Sequence, residues 1–291
     1  MQKPSLANWL SVFSLGLIWG ATFMVVALAL RGYGPLTVAA ARTGLGALTL
    51  VAVAALTRPR LPAFTPRLAA HLIVIGLLST AAPFFLLSWG QKTVESAFAG
   101  LSMAAVPLFV IPLAHVFVPG ERMRPAKVAG FMLGFAGVVA LVGTGTPADG
   151  GGVLPRIACL TAALCYAVSA ITTRRCPPLD PLILAALSLT IGSLVLIPAM
   201  IVVEGLPRAE PPQPMLAIVF LGLVPTALAT LLRVTTIRSA GPSFMTLTNY
   251  QVPLWSALFG MLVLGETLSP RFFAALVLIL SGLVLSQRRR G

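Results

Sequence analysis

The chain is cut into long apolar runs almost free of charge, and this pattern constrains its fold more than any other feature. Reading the runs between charged or Pro/Gly-rich breaks gives ten candidate helices, at 9–30, 35–57, 68–90, 96–118, 126–144, 154–173, 181–203, 214–232, 243–264 and 270–287. The breaks carry turn chemistry, as at Pro119-Gly-Glu-Arg122 and Pro211-Pro-Gln-Pro214. A bilayer crossing takes about 20 mostly apolar residues. Ten crossings therefore leave the 291-residue chain only short loops and tails. Charged residues make up 9% and the mean hydropathy is +0.98, where a soluble domain carries about 25% charged residues. A soluble globular fold is excluded, and an all-α integral membrane protein is expected. The apolar stretch from Trp9 to Leu30 is too long for a cleavable signal peptide and reads as the first span.

The net charge of +13, from 20 basic and 7 acidic residues, would suggest nucleic acid in a soluble protein. Here its distribution reports topology instead, because Lys and Arg near span ends stay on the cytoplasmic side. With both termini inside, fourteen basic residues fall in the cytoplasm, including Arg58, Arg60, Arg122, Arg124, Arg174, Arg175 and Arg288 to Arg290. Five fall outside (Arg31, Lys92, Arg156, Arg208 and Arg271), and Arg42 alone lies within a span. No nucleic-acid partner is expected. Cys159, Cys165 and Cys176 form no Cys-x-x-Cys pair and read as small apolar fillers.

Shifting the chain by 146 residues lays one half on the other. Gly76 then meets Gly222, Thr80 meets Thr226, Phe98 meets Phe244 and Pro107 meets Pro253, while Pro35-Leu36 meets Pro181-Leu182. With one residue removed, Gly120-Glu121 and Pro125 meet Gly265-Glu266 and Pro270. A duplication is the simplest account, with repeats at 1–146 and 147–291. Five spans per half is an odd number, so the second half enters the membrane in the opposite sense. Inverted repeats of this kind recur in secondary transporters, with substrate held near the midplane at their interface.

The first half opens with Leu17-Ile-Trp-Gly-Ala-Thr-Phe23, continues with Pro35 and Ala39-Ala-Ala-Arg42, and closes with Val106-Pro107, Gly120-Glu121 and Gly130 to Gly137. These motifs resemble the EamA module of the drug/metabolite transporter superfamily, and the second half resembles it again. Two departures are Tyr166, one residue out of that register, where the first half has Trp19, and Ser188 where it has Arg42. The resemblance implies a ten-helix, N-in and C-in carrier of small metabolites in the bacterial inner membrane, most similar to aromatic amino acid exporters of the YddG type. It also implies a cavity lined by spans one, three and four and their counterparts six, eight and nine. Expected partners are a small-molecule substrate and membrane lipid, with the chain a monomer or weak homodimer. A broad drug or cation exporter, or a nucleobase or vitamin carrier, is the alternative.

Enzymatic chemistry finds no foothold. The seven acids lie in loops or at span ends without metal or hydrolase spacing, and there is no phosphate loop. No metal or cofactor is expected. Ionisable residues inside a span are costly and point to function, which makes Arg42 and His115 the candidates for coupling or gating, with Arg42 snorkelling or pairing with a backbone carbonyl. His71 reads as structural. Without an intramembrane carboxylate, facilitated diffusion or coupling through the substrate's own charge is expected.

Polar uncharged groups in spans need partners and tend to face a cavity. Thr248-Asn249-Tyr250-Gln251, just before Pro253, is the densest such cluster, and Pro107 gives span four a similar hinge beside Met103. Substrate-binding candidates are Trp19, Phe23, Ser79, Thr80, Trp89, Met103, Tyr166, Asn249, Tyr250 and Gln251, with Pro107 and Pro253 as gating positions; Trp89 fits an interfacial belt equally well. Gly16, Gly20, Gly130 and Gly134 form close-approach pairs for packing, or in spans five and ten for packing or dimerisation. Glu121 and Glu266 are expected to cap the helices that follow them.

Overall fold

The computed structural model describes residues 5–143, 152–240, 242–245 and 247–287, and all regular structure among them is helical. Lys3, the stretch 144–151 and Arg288 to Arg290, to which the sequence assigns loops and tails, lie outside the described residues. Among those described, eight helices are long and apolar enough to cross a membrane: α1 (Leu6–Ala29), α2 (Pro35–Thr57), α3 (Pro66–Gly90), α4 (Ser96–Phe117), α5 (Pro125–Val142), α6 (Leu154–Arg175), α7 (Pro181–Val203) and α8 (Pro212–Arg233). Two further helices follow, α9 (Thr248–Phe259) and α10 (Pro270–Gln287).

Local chemistry sets the starts. Proline stands in the first turn of α2, α3, α5 and α7, where its fixed φ is helical and its missing N–H costs nothing. Side-chain oxygens of Ser5, Thr65 and Asp180 accept from Asn8, Leu68 and Leu182 backbone N–H groups at 3.3, 3.2 and 2.8 Å. Inside the helices, hydroxyls without external partners fold back one turn, as Thr43 does to the Ala39 carbonyl at 2.6 Å.

Several rods are interrupted. Within α3, residues Leu77–Ala81 form wide π-turns, and Gly222–Leu228 do so in α8. Pro83 has no N–H to offer the Ser79 carbonyl, and Pro225 none for Leu221. The hydroxyl of Thr226 takes over, donating to the Leu221 carbonyl at 2.7 Å. In α4 a 3-10 turn, Met103–Ala105, precedes Pro107, whose ring displaces the carbonyl of Met103. The run expected as one span at 243–264 is divided into a short helix Pro242–Met245, α9 and a π-stretch Gly260–Leu264. Its first break is a turn closed by the Leu247 N–H to the Phe244 carbonyl at 3.2 Å.

The helices pack in pairs that cross the two halves of the chain. α5 lies on α10, α2 on α7 and α4 on α9, while α1 packs on α9 and α8, and α6 on α4 and α3. Glycines permit the closest approaches: a Cβ at Gly130 would stand 2.5 Å from the Gly282 carbonyl oxygen, and one at Gly282 would stand 2.5 Å from the Gly134 nitrogen. The Gly130/Gly134 pair is therefore a packing seam inside the chain. Gly16 abuts Gln251, and Gly20 abuts Trp255, joining α1 to α9. Leu101, Leu108, Leu141, Ile279 and Leu283 form the buried core between α4, α5 and α10.

Candidate functional site

Arg42 stands in the third turn of α2, about 10 Å from its start at 1.5 Å per residue, and is only 5% exposed. It neither snorkels nor meets a backbone carbonyl, as the sequence led us to expect. Its guanidinium carbon lies 3.9 Å from the centroid of the Phe84 ring, and Nη2 donates to Thr226 Oγ1 at 3.4 Å. Its Nε is buried with no hydrogen-bond partner. The ring face attracts the cation and replaces part of the water it has lost. Tyr166 on α6 lies within electrostatic reach.

The two π-stretches flank this residue. The Trp19 indole donates to the Pro225 carbonyl at 3.3 Å, which ties α1 to the α8 stretch. In the α3 stretch, Thr80 Oγ1 donates to the Gly76 carbonyl at 2.6 Å and lies 3.4 Å from the Ser188 carbonyl on α7. Wide turns break the regular hydrogen-bond ladder and place side chains off the usual helical rows, and they recur at functional sites.

Beside this polar centre is an aromatic one. Phe23 is buried, and Trp19, Met103, Tyr166 and Tyr250 pack half-buried against the same apolar cluster. Tyr166 also packs against the neighbouring cluster that contains Phe84. Four helices thus contribute Trp19, Phe23, Met103, Tyr166 and Tyr250 to one apolar cluster, and Tyr166 joins it to the cluster that holds Phe84.

The other candidates fall elsewhere. Ser79 is half-buried in the α3 stretch, and Trp89 is half-buried in the last turn of α3. Asn249 is exposed in the first turn of α9. Gln251 is taken up by packing: its Nε2 lies 3.5 Å from both the Val12 and Leu247 carbonyls. Pro107 follows the 3-10 turn of α4, and Pro253 is buried in α9, its carbonyl accepting from Ser256 Oγ at 3.0 Å. His115 is exposed at the end of α4, its Nδ1 3.2 Å from the Glu121 carbonyl. Among the described residues, no three His, Cys, Asp or Glu side chains are grouped to hold a metal.

The acids act at a distance. Glu266 accepts from the Ser96 and Ala97 N–H groups at 2.6 and 3.0 Å, so it caps α4 and not the helix after it. Glu204 does the same for α2, accepting from the N–H groups of Leu36 and Thr37 at 2.9 and 2.8 Å. Glu121 pairs instead with Lys127 and Arg174, each at 3.1 Å. Sequence reading missed these long-range caps, and with them Phe84, Pro225 and Gln91, whose Nε2 donates to the Phe23 carbonyl at 3.0 Å. Thr226 was visible in advance only as the repeat partner of Thr80.

A helical membrane protein that buries an arginine between helices of both its halves has the build of a solute carrier. The chain belongs to the EamA-like transporter family, whose profile matches residues 8–143 and again 155–287. It is a membrane-embedded transporter of small molecules and not an enzyme. It is 28% identical over 276 residues to the uncharacterized inner membrane transporter YedA of Escherichia coli K12, covering 94% of this chain and 89% of that one. A probable terminal-alkyne amino-acid exporter of Streptantibioticus cattleyicolor is 28% identical over 295 residues, covering 99% of this chain and 95% of the relative. The aromatic amino acid exporter YddG of Ancylobacter novellus is 38% identical over 89 residues, 29% of this chain and 30% of that one.

Proposed function

We propose that this protein exports amino acids, with a preference for aromatic side chains, across the bacterial inner membrane by alternating access. Its ten helices act as two inverted five-helix repeats, residues 1–146 and 147–291, with both termini cytoplasmic. The observation that carries the reading is the buried Arg42 with its guanidinium over Phe84 and Tyr166 of the second half within electrostatic reach, Tyr166 also packing against the apolar cluster that holds Trp19, Phe23 and Tyr250. Support for the repeats comes from the family match in each half and from paired packing, in which α1 on α8 answers α6 on α3. Support for the substrate class comes from relatives named as amino acid exporters. A buried cation repels cationic drugs, which places them behind zwitterions as cargo.

The test is uptake of labelled phenylalanine and threonine by liposomes containing the purified protein, with and without the same amino acid inside. Saturable phenylalanine uptake, accelerated by internal substrate and weakened by Tyr166→Ala, is the expected result. Linear, unsaturable flux would mean a channel, and no protein-dependent uptake of either amino acid would end the amino acid reading.

A further inference from the structure

Arg42 is the one charged residue that is buried among the described residues. A guanidinium offers five N–H donors in a planar fork. Here the protein accepts one hydrogen bond, the 3.4 Å contact to Thr226, and covers one face with Phe84. Nε, at nine-tenths burial and beyond, is unpartnered. Among the described residues no carboxylate makes an ion pair with it.

Its neighbours have already committed their protons. Thr226 donates to the Leu221 carbonyl at 2.7 Å, Thr80 to the Gly76 carbonyl at 2.6 Å and Trp19 to the Pro225 carbonyl at 3.3 Å. Among these groups Arg42 Nε keeps an unused donor, beside the Phe84 ring and within electrostatic reach of Tyr166. Trp19 and Tyr166 are only half-buried. A planar, bidentate anion is the ligand that a desolvated guanidinium fork matches.

We propose that Arg42 is a substrate-binding residue that holds the carboxylate of a transported acid whose apolar body lies among Trp19, Phe84 and Tyr166. This rests on the reading that a small metabolite binds between the two halves, but it does not require that the metabolite be an amino acid. The guanidinium would then provide the charge recognition, and the α9 polar run would not.

Isothermal titration of the full-length protein with phenylalanine, 3-phenylpropionate and phenylalaninamide tests it. The two carboxylates are expected to bind at least ten-fold more tightly than the amide. Arg42→Gln should remove that difference, and Arg42→Lys, which keeps the charge but not the fork, should restore part of it. The wild-type comparison needs no variant, so misfolding of Arg42→Gln leaves the test intact. Equal binding of acid and amide to the wild type, or no binding of any of the three, overturns the proposal. The two readings fail separately: Arg42-dependent binding of 3-phenylpropionate without phenylalanine uptake sinks only the amino acid reading, and phenylalanine uptake with equal acid and amide binding sinks only the role of Arg42.

Discussion

The Thr226 methyl group packs against the bare Cα of Gly46, so that a Cβ placed on that glycine would lie 2.5 Å from Thr226 Cγ2. Gly192, 146 positions beyond Gly46, is likewise met by Thr80, there through the hydroxyl oxygen and not the methyl. Each threonine belongs to a π-stretch, and each glycine to a helix of the other half. The side chain that Arg42 touches is therefore held in place by a glycine on Arg42's own helix, one turn away.

Gly46→Ala should act as overpacking. Thr226 cannot swing aside without giving up its bond to Leu221, so the variant is expected to lose about 1 to 3 kcal/mol. Thr226→Ser removes the offending methyl and keeps the hydroxyl, and in the double variant most of the loss should return. Thermal unfolding of the four proteins in detergent checks this. Additive losses would show that the two residues are not coupled.

At the α5–α10 seam the obstruction is backbone. A Cβ on Gly282 meets the Gly130 carbonyl and the Gly134 nitrogen, neither of which can rotate away. Gly282→Val is expected to cost at least about 3 kcal/mol and to lower the yield of folded protein sharply. Because the seam lies within one chain, the molecular mass of the surviving wild-type and Gly282→Ala particles, measured by light scattering, should be the same. A lower mass for the variant would relocate the glycines to a subunit interface.

Glu266 links the α9–α10 loop to the start of α4 through two backbone N–H bonds. A carboxylate at a helix N-terminus is stabilised by the unpaired N–H groups and by the helix dipole. Glu266→Ala should cost about 1 to 2 kcal/mol of stability. In hydrogen exchange, the amides of Ser96 and Ala97 should lose protection first. Unchanged protection there would mean that the cap contributes nothing.

How far the residues announced this arrangement depends on how local each cause is. Helix positions followed from apolar runs and from prolines such as Pro35, Pro125 and Pro181, whose effect reaches only one turn. The 146-residue offset was visible because Thr80 and Thr226, or Gly76 and Gly222, are chemically specific pairs. Arg42 stood out as the one basic residue inside a span. That Phe84 would lie under it, or that Glu204 would cap α2 from 167 residues away, depends on how distant helices pack, which no periodicity encodes. The polar run at Thr248 to Gln251 meets a related limit. Density of polar groups does not reveal which way they face, and Gln251 turns to the Val12 carbonyl while Asn249 is exposed.

Glu121 gives a prediction in pH. Hydrogen bonds from Lys127 first and Arg174 second, with the Lys127 charge behind them, hold its carboxyl below the ordinary value of 4.5. A depressed folded-state value means that the folded protein binds this proton less readily than the unfolded chain does. The stabilising contribution is then complete above about pH 4.5 and drains away as the pH falls through the lower folded-state value. The difference in unfolding temperature between the wild type and Glu121→Gln should accordingly be constant from pH 7 to pH 5 and shrink from there toward pH 3. The group is partly solvated, its side chain 32% exposed, so the gap should narrow at high salt as well. A gap unchanged between pH 7 and pH 3 would mean that Glu121 acts through its shape and not through its charge.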